Sequence, residues 1–136
     1  MKLTLIVLLF ISSIALANAH PDNGFWEDNI NVETAKNIGI IIINSNDSSV
    51  NGCRVFEFEL QPIINSRKFN FISAYLSKDK KYAGGFDLAV EMTQDKKYTT
   101  AIEMCDLAAT QLQFNIGYGK NPESKSYIIT FPIKSM

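Results

Sequence analysis

The chain is poor in the residues that most chemistry depends on: one histidine (His20), two arginines (Arg54, Arg67), two cysteines (Cys53, Cys105) and one tryptophan (Trp26). Each scarcity excludes something. A mature chain starting at His20 would pair an α-amine with an imidazole, which is a partial copper site. No second imidazole exists to complete it, and Pro21 lacks the backbone N–H that an amino-terminal chelate uses next. Copper and zinc sites take three or four convergent ligands, so no metal is expected. Ser-His-Asp or Cys-His catalysis would likewise rest on His20 alone.

No glycine-rich phosphate loop is present, and Gly84-Gly85 reads as a bulge or turn beside a strand. Carboxylate pairs do occur, Glu57 with Glu59 and Asp87 with Glu91. Strand alternation accounts for them as the solvated side of a sheet. The chain is therefore expected to have no cofactor and not to be an enzyme.

Positive charge is also sparse. Thirteen basic residues stand against 14 acidic ones, and no basic stripe is present, which argues against a nucleic-acid partner. The lysines of Lys78 to Lys81 and Asp95 to Lys97 read as hairpin tips.

A long hydrophobic run occurs once, at the start. Lys2, an apolar stretch from Leu3 to about Leu16, and the small-x-small pairs Ala15/Ala17 and Ala17/Ala19 have the layout of a secretory signal peptide. The stretch is short for a membrane span. Residues 1–19 are read as a cleaved leader, with cleavage after Ala19 or Ala17, residues 20–29 as an arm, and residues 30–136 as a single β-rich domain. A secreted or periplasmic protein, with no membrane insertion after cleavage, is expected. Losing Lys2 leaves 12 basic residues against 14 acidic, a net charge near −2. Asn46 begins an N-glycosylation sequon in a turn-rich stretch.

In an exported chain, Cys53 and Cys105 read as one disulfide. Closing a loop of about 50 residues stabilises a fold by about 4 kcal/mol in the chain-entropy model.

What remains is dominated by period-two alternation. "RVFEFEL" points Phe56, Phe58 and Leu60 one way and Val55, Glu57 and Glu59 the other. "FDLAVEM" separates Phe86, Leu88, Val90 and Met92 from Asp87, Ala89 and Glu91. "LQFNIGY" sets Leu112, Phe114, Ile116 and Tyr118 against Gln113, Asn115 and Gly117. "YIITFPI" aligns Tyr127, Ile129, Phe131 and Ile133. "FNFISAYL" and "IGIIII" are apolar on both parities and read as central strands or strands covered on both faces. Met92 and Met104 sit at core positions.

About seven strands in 117 residues predict an all-β fold, a two-layer antiparallel β-sandwich tied by one disulfide. The stretch "YTTAIEMCDLAATQLQ" leaves an alternative open, an α+β fold with a helix at about 100–113. Thr100 and Glu103 match a capping box, and Ile102, Cys105, Ala109 and Leu112 form an apolar stripe. As strands, both cysteines lie on the more polar face; as a helix, Cys105 faces the core.

Function enters by elimination: a small exported binding module for a protein or glycan. The alternatives are a structural subunit of a surface assembly and a carrier of a small hydrophobic ligand. Candidate contact residues are the aromatic pair Phe25 and Trp26, because tryptophan is enriched in binding hot spots, and an acidic face of Glu57, Glu59, Asp87 and Glu91, with Glu103 nearby.

Overall fold

The computed structural model describes residues 26–45, 53–105 and 111–132. The proposed leader, His20, Phe25, Asn46, Ala109 and Ile133 lie outside them. Among the described residues there are ten strands and one helix: β1 (Trp26–Asn29), α1 (Val32–Ile38), β2 (Ile40–Ser45), β3 (Cys53–Leu60), β4 (Ile63–Ile64), β5 (Arg67–Lys78), β6 (Lys81–Asp87), β7 (Glu91–Met92), β8 (Tyr98–Cys105), β9 (Gln111–Tyr118) and β10 (Lys125–Pro132). The count exceeds the expected seven because β1, β4 and β7 are too short to show alternation.

Two sheets form. One runs β1-β10-β9-β5-β4, with β6 also paired to β5; the other runs β2-β3-β8-β7. All pairings are antiparallel except β1 with β10, where part of the expected arm adds as a parallel edge strand with Trp26 opposite Lys125. Lys125 closes that edge with an ion pair to Asp28 at 2.8 Å.

Alternation decides what lies between the sheets. Phe56, Phe58 and Leu60 of β3 face Leu112, Phe114, Ile116 and Tyr118 of β9, and all are buried. Phe114 meets Phe58 at a ring-centroid distance of 4.7 Å and Phe56 at 5.2 Å; Phe56 in turn meets Phe131 of β10 at 5.2 Å. At the other end of the core, Phe69 of β5 stacks on Tyr98 of β8 at 4.8 Å. Tilted and edge-on ring pairs of this kind add to the free energy of area burial alone.

The α+β alternative is overturned. Residues 98–105 and 111–118 are strands, and Cys53 stands directly opposite Cys105 in the β3–β8 pair. The cysteines are bonded, with Cα atoms 4.1 Å apart. The bridge thus joins neighbouring strands on the outer face of one sheet, which explains why neither cysteine shows core parity as a strand residue.

The one helix falls where the sequence reading placed none, at 32–38. Asn31 caps it by accepting from the Thr34 N–H at 2.7 Å. Gly39 ends it in the left-handed region (φ 102°), where a Cβ would also collide with the Gln61 side chain.

Two strand expectations are corrected. "IGIIII" is not central: Ile40 and Ile42 are buried, but β2 is an edge strand and Ile43 is 53% exposed. "FDLAVEM" is not one strand. It leaves the first sheet at Asp87 and joins the second at Glu91, so Phe86 and Met92 are exposed while Leu88 and Val90 pack against the core. Met104 is buried as expected.

Gln61, where the chain leaves β3 for the other sheet, clasps three elements. Its N–H donates to the Gly39 carbonyl at 3.1 Å, and its carbonyl accepts from the Tyr118 hydroxyl at 2.8 Å. Tyr118 is fully buried, and burial, followed by the nearby Tyr127, pushes its phenol above the ordinary value of 10.

Tyr118→Phe leaves the Gln61 carbonyl without this partner and is expected to cost about 1–2 kcal/mol in urea denaturation. A raised folded-state pKa means that this phenol favours the native state fully below about pH 10. The contribution fades as pH climbs from the unfolded value toward the folded one, so wild type loses more stability above pH 10 than Tyr118→Phe does. Replacing both cysteines by serine removes a cross-link between residues 52 apart and is expected to cost about 4 kcal/mol by the same assay.

Candidate functional site

Inward packing of Phe56, Phe58 and Leu60 obliges Glu57 and Glu59 to point out of the β2-β3-β8-β7 sheet. Register then assembles rows across that face. Ile41 lies opposite Glu59, Glu59 opposite Thr99, and Thr99 opposite Glu91; Ile43 lies opposite Glu57, and Glu57 opposite Ala101. Together with Ala89, whose carbonyl accepts from the Thr100 hydroxyl at 2.7 Å, they line an open depression of about 530 Å³. Its floor is mixed: isoleucine and alanine side chains, with three carboxylates among them.

Among the described residues one cation answers those carboxylates. Lys97 reaches Glu59 at 2.8 Å, and the hydrogen bond and charge of Glu59 raise its ammonium pKa above the ordinary 10.5. No ion pair joins Glu57 or Glu91 to a described residue.

The depression also adjoins a strand edge that pairs with no described strand. The bond from Gln61 N–H to Gly39 O marks those two residues as a hydrogen-bonded pair, so the pairs 41–59 and 43–57 continue that set. The backbone N–H and C=O groups of Ile42 and Asn44 therefore turn away from β3, toward an edge where no described strand pairs.

Of the sequence-derived candidates, the fold brings Glu57, Glu59 and Glu91 together. Glu103 lies on the same face, further along β8 and beside the disulfide. Asp87 does not join them. It ends β6 on the other sheet and accepts a hydrogen bond from the buried Ser73 hydroxyl. Trp26 begins β1, also on the other sheet, and Phe25 lies outside the described residues.

Ile41 and Ile43 were missed because an apolar run on both parities reads as buried, and only the pairing order reveals an edge. Cys53, Cys105 and Glu103 lie within ligand distance of one another, yet both sulfurs are spent in the disulfide and offer no thiolate. Comparison of the chain with protein-family models, with characterised proteins and with solved structures finds no match.

Glu59→Gln removes the group that raises Lys97, so the Lys97 ammonium is expected to titrate lower, toward 10.5, when followed by NMR of its side chain. In wild type the pair contributes to stability below the unfolded-state lysine value and loses that contribution as pH rises through the folded one.

Proposed function

We propose that the protein is an exported, non-enzymatic binding module. On this reading it recognises a protein partner through the outer face of the β2-β3-β8-β7 sheet. The observation that carries the reading is the depression in which Ile41 and Ile43 lie beside Glu57, Glu59 and Glu91, next to the edge of β2 that no described strand pairs. A segment offering alternate cationic and apolar side chains in extended form fits all three features. Its backbone can continue the sheet at β2, its apolar groups can cover the isoleucines, and its cations can meet Glu57 and Glu91.

Export to a secreted or periplasmic location is supported by the leader-like first 19 residues and by the Cys53–Cys105 disulfide. The absence of an enzymatic role rests on the residue scarcities described first. The carrier alternative draws no support from the described core, where Phe56, Phe58, Phe114 and Phe131 fill the space between the sheets.

A second reading, a subunit of a surface assembly, is favoured by one observation. The edge of β2 has neither the charged residues nor the proline that usually protect an exposed strand. Sedimentation of the purified protein separates the two readings, since an assembly subunit associates with itself as concentration rises.

The leading reading is tested by affinity capture from extract of the protein's own compartment, comparing wild type with Glu57→Lys/Glu91→Lys. Both positions are exposed, so the fold is expected to survive while capture of a defined protein falls by roughly 100-fold, about 1–1.5 kcal/mol per reversed charge. Equal recovery by the two proteins, or none by wild type, overturns it.

A further inference from the structure

The outer face of the other sheet is built differently. Along β5 the residues Phe69 and Phe71 are two apart and would share a face in a regular strand. A register shift between them changes this: Phe69 pairs with Tyr118 and packs inward on Tyr98, whereas Phe71 pairs with Gly117 and points outward. A second shift, in the β5–β6 pair after Leu76, sets Tyr82 opposite Ser77 instead of Ala83. That turns Tyr82 to the same outer face, where it is 71% exposed. Between them Tyr75 points outward without such help, with its ring centroid 6.2 Å from that of Tyr82. Two separate irregularities, an extra residue in β5 at Asn70 and one in β6 at Ala83, thus bring two rings to the surface that Tyr75 already occupies, and the re-aiming of side chains is what such bulges achieve.

The Phe71 ring does not stand on edge. Cδ1 and Cζ of Phe71 fall 2.6 and 2.7 Å from where a Cβ on Gly117 would stand, with Cε1 between them closer still. Those distances describe a ring lying face-down over the glycine. The Tyr75 ring likewise takes the space a Cβ on Gly85 would need, with Cδ1 at 2.6 Å and Cε1 at 3.0 Å. A ring laid flat on a sheet turns its other face to solvent, and only glycine opposite leaves room for it.

Polar groups flank the rings. The Gln113 amide donates to Asn115 Oδ1 at 2.8 Å, which fixes both amides, and Ser73 holds the Asp87 carboxylate. No buried side-chain polar atom among the described residues lacks a partner, so Asn115 Nδ2, which has none, is reached by solvent. The outward positions of β5 from Phe71 to Ser77, with those of β9 and β10 beside them, hold no lysine or arginine. Lys120 and Lys125 line the depression at the Phe71 end, beyond these rows.

We propose that this face binds a neutral glycan laid along β5, with sugar rings stacked on Phe71 and Tyr75 and hydroxyls met by Asn115, Gln113 and Asp87. Pyranose rings present C–H faces that stack on aromatic rings, and hydroxyls that both donate to and accept from amides and carboxylates. The Phe71–Tyr75 spacing of four strand residues, roughly 13 Å, suits a short oligosaccharide rather than one sugar. An acidic polysaccharide would find cations only at the Phe71 end, at Lys120 and Lys125, and would meet Asp87 along the rest of the row. The site is separate from the isoleucine–glutamate depression, and its readout is sugar binding, so either proposal can fail without the other.

Calorimetric titration of the protein with soluble neutral oligosaccharides of glucose, xylose, mannose and N-acetylglucosamine, alongside heparin and alginate, provides the test. At least one neutral series is expected to bind, with a Kd insensitive to salt. Tyr75→Ala and Asn115→Ala are each expected to weaken that Kd by roughly tenfold with melting temperature little changed. Asn115→Ala keeps the test open should the ring variant unfold. The proposal is overturned by binding of the acidic polymers alone, by no binding of any sugar, by a Kd unmoved in both variants, or by a protein ligand found to occupy this face.

Discussion

Phe114 is the residue on which both surfaces depend. Its ring touches Phe58 and Phe56 across the gap between the sheets and Phe131 beside it, so it locks one sheet to the other. Strand side chains alternate, so this contact sets more than the core. With Phe114 inward, Gln113 and Asn115 must point out of one sheet; with Phe56 and Phe58 inward, Glu57 and Glu59 must point out of the other. A slip of one residue in β3 or β9 would bury the polar set and expose the rings. The cost of unpaired buried amides and carboxylates makes that slip prohibitive. The disulfide adds a second constraint on β3, because Cys53 can bond Cys105 only in the register that also places Glu57 opposite Ala101.

Where a strand is buried on one face only, the sequence was readable. "RVFEFEL" and "LQFNIGY" alternate cleanly, and both take the faces that alternation assigns. Legibility failed where period two is broken or mimicked. The bulge at Phe69–Phe71 sends two phenylalanines to opposite faces, so "FNFISAYL" shows apolar residues on both parities for a reason unrelated to double coverage alone. "FDLAVEM" alternates through a change of sheet, which dispersed its two acids: Glu91 went to the isoleucine face and Asp87 to the aromatic one. Helix signals misled in both directions. Thr100 and Glu103 imitate a capping box inside β8, while Asn31, Glu33, Lys36 and Gly39 carry the cap, charge and stop signals of a real helix only seven residues long.

The candidate sites were legible only in part, and the missing part is relational. Strand alternation identified Glu57, Glu59 and Glu91 as solvated acids, and the fold made them neighbours. Nothing in the sequence could show Ile41 and Ile43 beside them, because an edge strand is defined by what fails to pair with it. Likewise Gly117 and Gly85 are ordinary strand glycines until the rings of Phe71 and Tyr75 are seen to lie on them.

The two outer faces depart from a stability-driven surface in opposite ways. Burying an isoleucine side chain is worth roughly 1.5–3 kcal/mol. Ile43 forgoes much of that at a position where threonine or lysine would hold the strand equally well and discourage edge pairing. On the other sheet the departure lies in the backbone. Glycine within a strand weakens it, and each bulge gives up ladder bonds, yet β5 and its neighbour β6 carry one bulge each, and β5 pairs with two glycines whose Cβ space is taken by its rings. A scaffold selected for stability alone has no use for either arrangement. Ile43 and the half-buried Ile41 beside acids would complement cationic and apolar side chains, whereas aromatic rings beside uncharged amides would complement neutral hydroxylated ones. On the two proposed readings, the contrast would separate two kinds of recognition on the two sides of a single core.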